Sequence, residues 1–308
     1  MRFTLRQLQV FVAIAQQESV SRAAETLALS QSAASTSLTE LERQSDCLLF
    51  DRAGKRLSLN ALGRQLLPQA VALLDQAKEI EDLLNGKSGF GSLDVGATLT
   101  VGNYLATLLI GNFMQRHPEC RVSLHVQNTA HVVQQVAHYE LDLGLIEGDC
   151  QHPDIEVQPW VEDELVVFCA PRHPLAQRGQ ANLEELTQEA WILREQGSGT
   201  RLTFDQAMRH HPRALNIRLE LEHTEAIKRA VESGLGISCI SRLALRDAFR
   251  RGSLVAVETP QLDLTRQFYF IWHRQKYQTA AMREFLEMCR ELTAGVSRSD
   301  EIVLPSIV

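Results

Sequence analysis

Apolar residues recur along this chain with different periods, and each period predicts a different kind of element. Leu5, Leu8, Phe11, Val12 and Ala15 fall on one face of a helix over residues 5–17. Leu27, Leu38 and Leu41 recur at helical spacing and predict two short helices near 20–28 and 31–45. Ala23 and Ala24 are small enough to let one helix cross closely over another. Ser30 stands where an N-cap is needed, so the second helix opens with Gln31, Ser32, Ser35 and Thr36 near its solvent-facing start. Residues 48–59 alternate poorly and carry Arg52, Gly54, Lys55 and Arg56, which suits a short two-stranded wing. A helix-turn-helix presents its second helix to the DNA major groove in this way. Beside that helix, the basic wing residues suit phosphate contact better than a merely solvated hairpin tip.

From Asn60 to about Lys87 the apolar positions are 66, 70, 73, 77, 80 and 84, in alternating steps of four and three. This is a coiled-coil seam, interrupted only by Pro68. It predicts a helix that is both linker and dimerisation element; the alternative is packing against its own chain. Gly86-Lys-Ser-Gly-Phe-Gly-Ser92 then reads as a hinge. Beyond it strand-like segments (93–97, 122–127, 141–146, 164–170, 191–194, 217–222, 237–241 and 268–273) alternate with helical ones (101–116, 129–139, 200–210, 224–233 and 278–293). The alternation predicts an α/β unit with a largely parallel sheet.

The charge is unevenly placed. Of the formal −7, residues 1–60 hold seven Lys/Arg against six Asp/Glu, and the remainder holds 24 against 32. A nearly neutral reading domain binds DNA weakly, so useful affinity requires more than one copy. No long apolar stretch or secretory leader pattern is visible, so a cytoplasmic protein without membrane partners is expected. The six cysteines (47, 120, 150, 169, 239 and 289) are scattered, form no CxxC pair and read as reduced thiols. Neither His210-His211 nor Cys150-Gln-His152 has a convincing ligand partner set, so no metal and no other cofactor is expected. With no GxSxG elbow, Walker loop, GxGxxG after a strand or HExxH, the chain does not read as an enzyme.

Phe11-Val-Ala, Ala23-Ala24, Leu27, Ser30-Gln31-Ser32, Ser35, Leu41-Glu42, Leu49-Phe50, Arg52 and Gly63 together resemble the N-terminal signature of LysR-type transcriptional regulators. The likeness extends over essentially the whole chain. It departs from the usual pattern at Asp46, where the family has Gly, and at Asn60, where it has Thr. The resemblance implies a winged helix-turn-helix (residues 1–59), a linker and dimerisation helix (60–87) and a two-lobed effector domain (92–296) like the periplasmic solute-binding proteins. Lobe I would comprise 92–161 and 268–296, and lobe II 162–267. It further implies double-stranded DNA as partner, a homodimer through 60–87 and a homotetramer. Gln31, Ser35 and Thr36 are the expected base or groove contacts; Ser32, Arg52, Lys55 and Arg56 are expected at phosphate or minor groove.

In open α/β folds ligands bind beyond the carboxyl ends of strands, where helix N-termini point free amides outward. Three segments qualify: Thr98-Leu-Thr100-Val-Gly102-Asn103, Glu147 with Gly148-Asp149, and Ser198-Gly199-Thr200. Each has a plainer alternative, since the threonines could simply cap a helix and the glycines form a turn. Glu147 is repulsive to an anion unless protonated or paired, and Arg194 or Arg201 could pair it. Glu162–Phe168, Trp191–Arg201 and Glu225–Cys239 look most like the sulfur-metabolism branch of the family, closest to its sulfite-responsive members. That likeness implies a small sulfur oxyanion near Thr98, Thr100, Glu147, Ser198 and Thr200. Glu147 disfavours fully ionised sulfate and tolerates bisulfite. An organic-acid sensor, a redox sensor using Cys150 and a cytosolic solute-binding protein are the competing readings.

Overall fold

The computed structural model describes residues 2–53, 56–85, 90–209 and 214–303. Its N-terminal part holds α1 (Leu5–Gln17), α2 (Val20–Thr26) and α3 (Gln31–Ser45), then a hairpin of β1 (Phe50–Ala53) and β2 (Arg56–Leu59). Each helix starts on its own cap. Thr4 forms a capping box with Gln7, Ser19 accepts the Arg22 amide, and Ser30 accepts the Ala33 amide at 3.1 Å. Phe11, Ile14, Ala23, Ala24, Leu38 and Leu41 bury themselves in one core, which fixes how the three helices cross. Asp46 ends α3 in the left-handed region at φ 48°, a conformation its short polar side chain tolerates. Asn60 caps α4 (Ala61–Leu84) by accepting the Gly63 amide at 2.8 Å. Lys55, residues 86–89 of the hinge and His210-His211 lie outside the described residues.

Helix α4 divides its apolar positions between two directions. Leu67, Ala70 and Val71 are buried in the core of the N-terminal domain. Leu62, Leu73, Ile80, Leu83 and Leu84 are exposed. Packing against its own chain therefore holds for one face and leaves a second apolar face uncovered by the described residues.

The second half runs β3 (Ser92–Thr98), α5 (Leu99–Val101), a π turn (Gly102–Ala106), α6 (Thr107–Arg116), β4 (Arg121–Gln127), α7 (Thr129–Ala137), β5 (Leu143–Glu147) and β6 (Ile155–Cys169). It continues through α8 (Pro174–Arg178), α9 (Leu183–Gln188), β7 (Ala190–Arg194), α10 (Gly199–Met208), β8 (Asn216–Leu221), α11 (Thr224–Glu232), β9 (Ser238–Ser241) and α12 (Arg242–Arg251). It closes with β10 (Val255–Val257), β11 (Thr265–His273), α13 (Ala280–Leu292) and a short turn, Ser299–Glu301.

The sheet order is β10-β6-β11-β5-β3-β4, with β9 also paired to β6. Only β3–β4, β3–β5 and β7–β8 are parallel strand pairs among the described residues. The expected largely parallel sheet is thus corrected to a mixed one. Strand β11 runs antiparallel to both β5 and β6, and β6 runs antiparallel to β9 and β10. The cause is the route of the chain. Strand β6 passes from one lobe into the other and β11 returns beside it, so the out-and-back pair must be antiparallel. Residues 155–164 of β6 pair with β11, whereas Leu165–Phe168 pair with β9.

Candidate functional site

Ser30 starts α3 so that Gln31, Ser32, Ser35 and Thr36 are all exposed at its first turns, while Ala34 and Leu38 anchor the opposite face. Ser32 lies 3.0 Å from Ser30, hydroxyl to hydroxyl, and so is already engaged with the cap. Arg52 lies in β1 and Arg56 in β2, in the wing beside α3. The exposed start of α3 is open and polar, as a groove-reading helix requires.

The second site is buried between the lobes. Strand β3 delivers Thr98, α5 delivers Thr100, β5 ends on Glu147 and α10 delivers Thr200; all four are nearly inaccessible. The Thr98 hydroxyl donates to Glu147 Oε2, and Thr100 and Thr200 donate to Oε1 at 3.3 and 3.4 Å. The two threonines of the first segment therefore serve the carboxylate instead of capping the helix, and Thr98 makes no side-chain cap bond. Ser198 does cap, accepting the Arg201 amide at 3.4 Å. The Gly199 amide donates to Thr129 Oγ1 at 3.0 Å, and Thr129 in turn reaches the Glu147 carbonyl. This chain of bonds ties α10 to β5 across the cleft.

Two of the residues expected in the pocket do not join this group. Gly102 spends its amide on the Leu99 carbonyl, and a Cβ there would stand 2.8 Å from Val126, so its role is close packing. Asn103 is exposed and lines a separate cavity of about 390 Å³ with His131, Glu195, Glu222 and His223. Ser198 and Gly199 border another cavity of about 270 Å³ with Thr129, Cys150 and Leu202. Burial pushes the Cys150 thiol pKa up, the opposite of what a reactive thiolate needs.

The cation that faces Glu147 is neither Arg194 nor Arg201. Arg194 pairs with Glu195, and Arg201 with Asp205 and Glu220. Arg266 on β11 supplies it instead. Its Nη1 donates to Thr200 Oγ1 at 3.0 Å and lies 3.8 Å from Glu147 Oε1. Its Nε donates to Asp163 at 2.7 Å, and its Nη2 finds no hydrogen-bond partner among the described residues. Arg266 shares strand parity with buried Phe268 and Phe270, which was the available signal: a charge on the inward face of a strand. A buried guanidinium that reaches a threonine hydroxyl and keeps one donor unused can accept an oxyanion.

Comparison with known proteins covers both parts. The model of the bacterial regulatory helix-turn-helix protein, lysR family, matches residues 5–64, and that of the LysR substrate binding domain matches residues 87–294. The HTH-type transcriptional regulator YeiE of Escherichia coli is 45% identical, over 94% of this chain and 98% of its own. The RuBisCO operon transcriptional regulator of Allochromatium vinosum is 33% identical over 93% and 95%. Among solved structures, the regulatory domain of Synechocystis CcmR in complex with 2-PG has a TM-score of 0.63 at 30% identity, over 67% of this chain and 99% of that one. Full-length OxyR of Pseudomonas aeruginosa has a TM-score of 0.69 at 24% identity, with 94% of each chain covered.

Proposed function

The chain belongs to the LysR family of DNA-binding transcriptional regulators, and we propose that its effector is a small, singly protonated sulfur oxyanion, sulfite bound as bisulfite. The observation that carries the effector reading is the buried Arg266 guanidinium, whose Nη1 lies 3.8 Å from Glu147 Oε1 and whose Nη2 is without a partner among the described residues. Arg266 balances Asp163, so a bare dianion would add uncompensated charge next to the Glu147 carboxylate. A monoanion that accepts from Arg266 and donates its own proton to Glu147 meets both groups. Thr98, Thr100, Thr200 and the Ser198-Gly199 turn would complete the pocket. The CcmR domain holds 2-PG, so relatives differ in effector, and that compound belongs among the ligands tried.

On the DNA side, Gln31, Ser35 and Thr36 would meet base edges, and Ser32, Arg52, Lys55 and Arg56 phosphate or minor groove. Residues 60–87 would join two chains along the exposed face of α4, placing paired recognition helices in successive major grooves. Pairing of dimers into tetramers would be what the effector alters, through its different affinity for the two arrangements.

The test is thermal unfolding of the full chain with sulfite, sulfate, thiosulfate, small carboxylates and 2-PG. A ligand at a hundredfold its Kd adds about 2.7 kcal/mol. Sulfite is expected to stabilise the wild type and to fail with Arg266→Gln or Thr100→Ala, and Glu147→Gln is expected to admit sulfate. Stabilisation by 2-PG or a carboxylate alone would replace sulfite with an organic acid. No response to any sulfur oxyanion would remove the effector identity.

A further inference from the structure

We propose that the C-terminal segment Arg298–Ile302 is a strap over the β6–β11 crossing between the lobes and a working part of the effector pocket, in which Ser299, acting through Asp163, holds Arg266 aimed at Glu147 and Thr200. The proposal rests on reading that pocket as the effector site.

The geometry starts from Asp163 and Arg266, which are direct cross-strand partners where β6 and β11 pass between the lobes. Asp163 is almost wholly buried, and three donors converge on it. Arg266 Nε takes Oδ2 at 2.7 Å; Ser241 Oγ and Ser299 Oγ both take Oδ1. A buried carboxylate is tolerable only with its lone pairs met, so each donor helps hold it in place. The carboxylate in turn sets the direction of the guanidinium, whose Nη1 reaches Thr200 and lies near Glu147. Ser299 is fully buried and comes from a segment well beyond β11 in the chain. A polar side chain so placed contributes nothing to an apolar core. Among the described residues its side chain bonds to Asp163.

The segment is fastened on both sides of Ser299. Arg298 donates to Glu164, which also accepts from Arg242 on α12 at 2.8 Å. Arg246 on the same helix donates to the Ile302 carbonyl at 3.2 Å. Ile302 is buried in the same core as Val161, Leu243 and Phe285. The strap thus grips β6 at the crossing and α12 beyond it, so rotation of one lobe must either carry it or break it. An unbroken line of hydrogen bonds joins strap to pocket: Ser299, Asp163, Arg266, Thr200, Glu147. Occupancy of the pocket and attachment of the strap then favour one another by the same factor.

Ser299→Ala in the full chain tests this, because Asp163 keeps Ser241 and Arg266 and the fold is preserved. Hydrogen exchange followed by mass spectrometry reads it without any ligand. Ser299→Ala is expected to exchange faster than wild type at residues 264–268 and in the pocket segments 98–101 and 197–200, and Ser299→Thr is expected to restore them. A merely structural strap would loosen only residues 297–303 and the face of α12 beneath, and that result overturns the proposal. With sulfite as probe, wild type should gain protection at 298–302 as well as in the pocket, and Ser299→Ala should bind about fivefold or more weakly, the lower end of coupling between linked sites. Protection of the pocket alone, with equal affinity, also overturns the proposal. If sulfite protects nothing in wild type, the effector identity fails, and the ligand-free comparison still decides the strap.

Discussion

Gly199 shows how little room the pocket leaves. A Cβ at this position would stand 2.1 Å from the Glu147 carbonyl oxygen and 2.8 Å from Thr129 Oγ1, both on the opposite lobe. Backbone cannot yield as a side chain does, so Gly199→Ala must part the two loops and break the bond from the Gly199 amide to Thr129. Overpacking of this kind costs about 1–3 kcal/mol. Gly199→Ala is therefore expected to weaken effector-induced thermal stabilisation roughly tenfold or more in ligand concentration, while DNA affinity without effector stays at the wild-type level. Titrations of unfolding and of fluorescence anisotropy on labelled DNA would check the two halves. At this scale part of the site was legible in the sequence. Thr98, Thr100, Glu147 and Thr200 follow from strand ends and helix starts, and the structure gathers them. Arg266 and Asp163 escape such a reading because they lie within strands, away from the loops where ligands are sought. Both nevertheless announce themselves by parity: Asp163 alternates with buried Val161 and Leu165, and Arg266 with Phe268 and Phe270.

Among the elements, α4 carries the connection between the two halves. Lys276, just past β11, is almost wholly buried and donates to Asp75 of α4 at 2.7 Å while pairing with Asp142 at 2.8 Å. One turn on, Glu79 accepts from Tyr277 and from the Ala280 amide at the start of α13. Burial pulls the Lys276 pKa down, but Asp142 and Asp75 outweigh it and hold the group above the ordinary lysine value. A folded pKa above the unfolded one means that the contribution is complete at neutral pH and lost only as pH rises through the folded value. Lys276→Met would remove the buried cation between Asp75 and Asp142, and breaking a buried pair in this way costs about 3–5 kcal/mol. The expected outcome is a lower denaturant midpoint at neutral pH together with faster hydrogen exchange along residues 74–82. Elements with a long apolar period, such as α1 and α4, were legible as helices, although α4 ends at Leu84 and divides its apolar positions between two directions. The N-terminal half of β6 was not, because Pro159 interrupts its alternation, and α12 was hidden by its charge, with Arg242, Arg246, Asp247, Arg250 and Arg251 in one short helix. The antiparallel crossing of β6 and β11 was beyond local pattern altogether, since register and direction belong to the route of the chain between lobes.

For the whole molecule the decisive quantity is charge relative to copy number. The N-terminal sixty residues carry a net charge of about one, and the acidic remainder holds 32 carboxylates against 24 basic groups. A single reading domain of this composition draws little from counterion release, so affinity is expected to need two domains held at a fixed separation. The exposed row Leu73, Ile80 and Leu84 is where a second chain would supply that constraint. Salt dependence then becomes a count of protomers. Each phosphate contact contributes a slope of about 0.9 in log K against log salt on duplex DNA. If Arg52 meets one phosphate in each copy, Arg52→Ala in a dimer should flatten the slope by roughly 1.8, and weaken binding alike on specific and unrelated sequences. Combining it with Ile80→Asp separates the two ideas. A chain made monomeric by Ile80→Asp should lose affinity steeply, and adding Arg52→Ala to it should remove only about 0.9 from what slope is left. An unchanged slope on Arg52→Ala would exclude the phosphate contact, and an undiminished affinity on Ile80→Asp would exclude α4 as the seam that makes two weak readers into one strong one.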